Sequence, residues 1–319
     1  MPAAFTIVMD SRRELVEKLI QNMEKGYILT EKEWDRDAFA PYNPLSDVHY
    51  KGGNRIRLIA KVIEKGYRDP RWMTARQLNE KGYYIKKGEH PTLCEKWIFD
   101  REKMVTKEDG TREKIRESLE MPAVRYFNVF NGEQVQDFPE YIHQKMEVSD
   151  MLQAGLDCLA SSECRITECA QPDAFYSPGM DRIFLPLREM FKDQESFIKT
   201  GLHEMVHSTG HVTRLNRDMG GCFGSESYAK EELRAELGAM FLEADLGLQI
   251  KGEHFQDHSN YLKSWIQVLQ EDYNELFRAC SDAEKAVERI YKNYLRVKTI
   301  EKERKREEEP LKRHQKLSR

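Results

Sequence analysis

Leu202-His203-Glu204-Met205-Val206-His207-Ser208-Thr209-Gly210-His211 places two histidines four residues apart, with a glutamate directly after the first. The stretch lies in Gln194–Thr209, whose apolar spacing predicts a helix. On a helix, His203 and His207 share one face a turn apart, so both imidazoles can reach a single ion with Glu204 beside them. Ile198, Leu202, Met205 and Val206 form the apolar side of the same helix. In the chemistry that this spacing serves, zinc lowers the pKa of bound water towards ~7 and the glutamate takes its proton for attack on a carbonyl. Glu204 is thus the expected general base, and the expected ion is Zn2+, with another divalent metal such as Mn2+ as the alternative.

A catalytic zinc site needs a third protein ligand and an open position. Downstream, Tyr228–Leu246 predicts another helix, on which Glu232 and Glu236 form an acidic stripe opposite Leu233, Leu237, Met240 and Phe241. Glu232 as ligand with Glu236 behind a histidine is the preferred assignment, and the reverse stays open. His211 is a further alternative ligand, one turn past His207 but beyond Gly210. Glu231 reads as a solvated glutamate. Tyr228, at the start of that helix, is a candidate oxyanion donor. Arg182–Leu185 is the expected edge strand along which a peptide would pair.

Around this core the 319 residues are 33% charged and 39% apolar with net charge −4, which suits a globular protein of about two domains. No apolar run approaches the ~18 residues of a spanning helix, and Met1–Asp10 lacks the pattern of a signal peptide, so a cytoplasmic location and no membrane partner are expected. Six scattered cysteines form no CxxC pair, and are expected to stay reduced. Lys51–Ile98 holds 12 Lys/Arg against 5 Asp/Glu, a stretch that could attract a polyanion.

The first part predicts helices over Arg12–Lys25, with Ser11 as cap, and over the Ile56–Ile63 periodicity up to Gly66. A short polar helix is expected near Ala75–Glu80, and strands over Leu93–Phe99 and Val124–Phe130. Between the strands, Asp100–Met121 reads as a mobile charged hairpin tip or insertion. The second part predicts a helix over Met146–Ala160, a hairpin of Ala174–Tyr176 with Arg182–Leu185, and helices over Phe255–Cys280 and Asp282–Glu309. The expected architecture is α+β, with an N-terminal α+β DNA-binding domain at 1–145, a mainly helical domain with a small hairpin or sheet at 146–300, and a charged tail at 301–319.

Longer runs carry a family likeness. Phe175-Tyr-Ser-Pro, Asp181-Arg-Ile, Leu202–His207, Thr209-Gly-His211, Arg214-Leu-Asn-Arg217, Phe223-Gly-Ser-Glu226 and Glu231–Leu237 resemble the zincin-like metallopeptidase domain of the ArdC-type antirestriction proteins of plasmids, phages and integrative elements. Tyr50-x-Gly52-x-Asn54, Gly66-Tyr67, Pro70-Arg-Trp72, Lys86-Lys-Gly88-Glu89 and Phe127–Asn131 resemble its N-terminal domain. The resemblance implies an N-terminal module that binds single-stranded DNA and a metal-binding, protease-like module, which together shield incoming DNA from host restriction. On that basis Tyr50, Trp72, Tyr83, Tyr84 and Trp97 are candidates for stacking on bases, and Arg55, Arg57, Arg71, Lys86 and Lys87 for meeting phosphates, with Asn54 in the same motif. A host restriction protein or another DNA-acting protein is the implied substrate class. Two rivals stand beside this reading: a DNA-binding shield whose metal is purely structural, and a stand-alone zinc metalloprotease acting on a host protein.

Overall fold

The structure is a computed structural model that describes residues 3–27, 36–107, 109, 111–143, 146–221, 224–248 and 259–317. Helix α1 (Ala3–Met23) begins well before the expected start, because Val8 continues the buried face of Leu15, Val16 and Leu19; Ser11 is therefore inside the helix rather than its cap. Helix α2 (Gly52–Lys65) ends at Gly66, whose φ of 75° is the left-handed conformation of a glycine cap. Between them, β1 (Tyr42–Asn43) and β2 (Val48–His49) pair in a small hairpin. Strand β3 (Trp72–Met73) leads to α3 (Ala75–Glu80), started by a Thr74–Gln77 capping box.

Strands β4 (Thr92–Thr106) and β5 (Arg112–Asn131) form a long antiparallel ribbon. The charged stretch expected to interrupt the strands instead continues them. Its periodicity is polar on both faces because both faces meet solvent, and cross-strand pairs such as Arg101–Glu117 and Lys114–Glu102 line up along it.

Helix α4 (Val148–Ala160) opens the second half, and the expected boundary at 141–148 contains two positions, 144 and 145, outside the described residues. A three-stranded sheet follows, of β6 (Arg165–Cys169), β7 (Phe175–Ser177) and β8 (Arg182–Pro186), in the order β6-β8-β7. The expected hairpin forms between β7 and β8, with Phe175 opposite Phe184. The edge assignment needs correcting: β8 is central because β6 adds to it in parallel, so β6 and β7 are the two edges.

Helices α5 (Gln194–Ser208) and α6 (Glu226–Leu246) cross closely, since a Cβ on Gly238 would sit 2.7 Å from Val206 Cγ1. Helices α7 (Ser259–Glu271) and α8 (Asn274–Leu317) complete the chain; the expected helix start at Phe255 lies outside the described residues. One apolar cluster joins the two halves, with Leu19, Ile56 and Ile59 in the same core as Leu233, Phe241 and Cys280. The five described cysteines are free thiols, and Cys222 lies outside the described residues. No helix among the described residues is long and apolar enough to cross a membrane.

Candidate metal centre

Helix α5 is started by Asp193, whose Oδ1 accepts from the Ser196 backbone N–H at 2.7 Å, and it carries His203 and His207 into a buried position against α6. The two Nε2 atoms face each other at 3.1 Å. The Glu232 carboxylate straddles them, 3.6 Å from His203 Nε2 and 3.5 Å from His207 Nε2. One ligand atom from each of the three lies within 4.8 Å of the others.

The opposite ring nitrogens are held from behind. His203 Nδ1 is 3.2 Å from Glu236 Oε2, and His207 Nδ1 is 3.2 Å from Glu231 Oε1. Carboxylates behind metal-binding histidines fix the ring orientation and raise its basicity. Glu231 is thus buried, not solvated, and Arg217 forks it at 2.7 and 3.0 Å. The same Arg217 donates to the Val206 carbonyl and Thr209 Oγ1, while Arg214 donates to the Ser208 carbonyl. These two arginines satisfy carbonyls left open at the end of α5 and lock the histidine turn in place.

Because α5 stops there, His211 turns away. Its Nδ1 pairs with Thr213 Oγ1 at 2.8 Å and it joins no cluster of possible ligands among the described residues. Its assignment as an alternative ligand is corrected accordingly.

Burial alone would pull both imidazole pKa values down, but the surrounding carboxylates outweigh it. His203 is raised well above its ordinary value by Glu232 and Glu236, and His207 is pushed up to about 9 by Glu231 and Glu232. Burial acts upward on Glu232, yet the two imidazoles hold it far below the usual carboxylate range. The pocket thus favours positive charge, and two imidazole nitrogens with one carboxylate form a donor set suited to zinc or manganese.

Glu204 is 7% exposed and lines a cleft of about 610 Å³ together with both histidines, Phe175 and Tyr176 of β7, Tyr228 and Tyr261. Tyr228 is no mere packing residue: its hydroxyl is 3.1 Å from that of Tyr261, and it lines the cleft one helical turn before Glu232. A larger cavity of about 820 Å³ between α1 and α2 contains neither histidines nor cysteines.

Residues 156–282 match the zincin-like metallopeptidase family, and residues 9–130 match the N-terminal domain of anti-restriction factor ArdC. Crystal structures of antirestriction ArdC from plasmid R388 superpose on this fold. The metal-free form gives a TM-score of 0.68 at 28% identity, covering 89% of this chain and 98% of that one. The Mn(II)-bound form gives 0.69 at 29%, covering 89% and 97%. The chain joins an ArdC-type N-terminal domain to a zincin-like metallopeptidase domain. Two Escherichia coli proteins named DNA primase TraC are 38% identical over 85% of this chain. This chain spans about a quarter of the first and a fifth of the second, the matched shares being 26% and 19%. Protein y4eC of Sinorhizobium fredii is 28% identical over 86% of this chain and 89% of its own length.

The ArdC-type N-terminal half uses most of the residues singled out for DNA as internal braces. Arg55 is 3% exposed and donates to the Phe39 and Phe241 carbonyls and to Asp245 Oδ1. Arg57 is buried against Ser11, and Trp72 is fully buried. A phosphate or base approaching from solvent reaches none of these three, so their assignment to DNA is corrected. The physical reason is partners distant in sequence: Asp245 is 190 residues from Arg55. Asn54 pins β4 to α2 through both backbone groups of Glu95. Tyr50 donates to the Trp72 carbonyl, and Arg71 pairs with Asp69 while covering the Phe138 ring. Of the other aromatics, Tyr83 packs on Phe138 and Trp97 lies under Arg12. Lys86, Lys87 and Tyr84 are exposed.

The raised histidine values set a pH dependence. A histidine whose pKa is about 9 when folded and near 6.5 when unfolded contributes stability that is full below 6.5 and is lost as pH rises through 9. Metal-free protein is therefore expected to melt at lower temperature at pH 9 than at pH 6.5. Zinc affinity should run the other way, rising about tenfold per unit for each proton displaced. Melting curves in a chelator and competitive zinc titrations across this range check both trends, and flat profiles would contradict them.

Proposed function

We propose that this chain is an antirestriction protein that combines single-stranded DNA binding with metal-dependent peptide hydrolysis, acting in the cytoplasm on a protein that meets incoming mobile-element DNA. The observation that carries the peptidase reading is the convergence of His203, His207 and Glu232 beside Glu204 on the floor of an open cleft. A divalent ion, zinc by preference or manganese, would supply Lewis acidity to polarise a carbonyl and acidify water. Glu204 then takes the proton from the attacking water and passes it to the departing amine. Tyr228 lines the same cleft, where its one hydroxyl proton can serve either the oxygen that gains charge or the Glu232 carboxylate. The edge of β7 supports an extended peptide by main-chain pairing. A closed structural metal site would have no use for a buried glutamate lining an open cleft, which favours catalysis over the shield with a structural ion.

For the DNA, the domain unit proposed is 1–145, and its accessible contacts are Lys86, Lys87 and Tyr84. The Lys86 ammonium is tethered to the Glu133 carbonyl at 2.7 Å, which holds this basic turn against the end of β5. The test uses the whole chain, because the halves share one core. Fluorescent single-stranded and duplex oligonucleotides of one sequence are titrated at several salt concentrations. Single-strand preference with a steep salt slope is expected, and the double variant Lys86→Glu/Lys87→Glu should weaken binding on the order of tenfold or more. Equal binding by wild type and the double variant would remove this surface from the reading.

A further inference from the structure

Tyr261 belongs to an aromatic stripe with Trp265 and Leu269, a pattern of core packing, yet its hydroxyl end enters the cleft. Its ring stacks on Trp265 at 6.1 Å, with the planes 21° apart. Trp265 is fully buried and its indole N–H donates to the Ala229 carbonyl at 2.9 Å, one residue after Tyr228. Tyr261 is thereby fixed to the first turns of α6, and its oxygen stands 3.1 Å from that of Tyr228. Tyr228 in turn stands one helical turn before Glu232 on α6 and lines the same cleft, and the Glu232 carboxylate straddles the two histidine Nε2 atoms.

These residues form one line: buried indole, stacked phenol, second phenol, carboxylate. We infer that Tyr261 is a positioning residue for Glu232, acting through Tyr228. Its hydroxyl donates to the Tyr228 oxygen, which turns the Tyr228 proton onto the Glu232 carboxylate and fixes the angle at which that carboxylate meets the histidine pair. Without Tyr261, the Tyr228 O–H is free to rotate about its C–O bond, and the carboxylate loses its fixed orientation. The inference rests on the metal-centre reading.

The test is metal binding rather than catalysis. Full-length wild type, Tyr261→Phe, Tyr228→Phe and the double variant are stripped of metal and titrated with Zn2+ against a chelating dye, and with Co2+ followed by visible absorption. The phenylalanine keeps the stack on Trp265, so the metal-free proteins should melt alike. Tyr261→Phe is expected to weaken Zn2+ binding about tenfold, the lower end for partners of metal ligands, and to alter the Co2+ spectrum. The double variant should bind no worse than Tyr228→Phe, because one residue acts through the other. Unchanged affinity in Tyr261→Phe, or independent losses that multiply in the double variant, overturns the inference. A wild type that takes up no ion overturns the metal-centre reading itself, an outcome visible before any variant is compared.

Discussion

Glu204→Gln is expected to lower peptide hydrolysis by about 10²–10⁴-fold, the range lost when a general base is removed, while leaving the ion in place. Glutamine preserves the shape of the side chain and its packing on α5, but cannot take a proton. Glu204 contributes no atom to the three-residue cluster, so metal content should match wild type. The measurement pairs release of fluorescent fragments from labelled casein with the zinc content of the same samples. Full activity in the glutamine variant, with metal bound, would end the peptidase mechanism. DNA binding by the same variant should be unaltered, which separates the two activities within one molecule.

Arg55→Leu is expected to be the most destabilising single change outside the metal centre. The guanidinium satisfies the Phe39 and Phe241 carbonyls, pairs with Asp245 at 2.7 Å, lies 3.7 Å from Glu284 and covers the Phe241 ring. Removing it leaves two carboxylates and two carbonyls without their partner at the contact between the halves. The Arg55 guanidinium is buried while Asp245 is partly exposed, so the loss is expected at the lower end of the about 3–5 kcal/mol that breaking a buried ion pair costs. In a chain of this size that is a fall of roughly 5 °C in melting temperature. A thermal melt within a degree or two of wild type would show that the clamp is replaceable. Adding Asp245→Asn and Glu284→Gln to the leucine variant should recover part of the loss, since it removes the stranded charges.

Which features were legible in the sequence follows from how local their causes are. The histidine pair follows from helical spacing alone, and the end of α2 from Gly66, a glycine just past the last apolar repeat. The β7–β8 hairpin follows from its turn residues, Ser177 to Asp181. The role of Glu231 was hidden because its neighbour Glu232 carries the same chemistry, and only the packing of α6 on α5 shows that the two serve different rings. Strand β6 carries alternating polar residues and gains strand form by pairing with β8, a partner 17 residues away in register. The basic stretch before Ile98 looked like one polyanion surface, but Arg55 and Arg57 are buried by elements far along the chain. Charge is legible in sequence, whereas exposure depends on the whole fold.

Helix α8 begins in the second half of the chain and lies against α2 of the first, with Glu284 accepting the Gly52 N–H at 3.0 Å. The two halves therefore form one folding unit, since each covers part of the other's interior. A recombination event that separated the two halves would leave the face of α2 without its cover, and each descendant would lack part of its own interior. In keeping with this, the TraC proteins align with both halves in one stretch covering 85% of the chain, within much longer polypeptides. Sequence added beyond this unit leaves its shared interior whole, whereas a cut between the halves opens it.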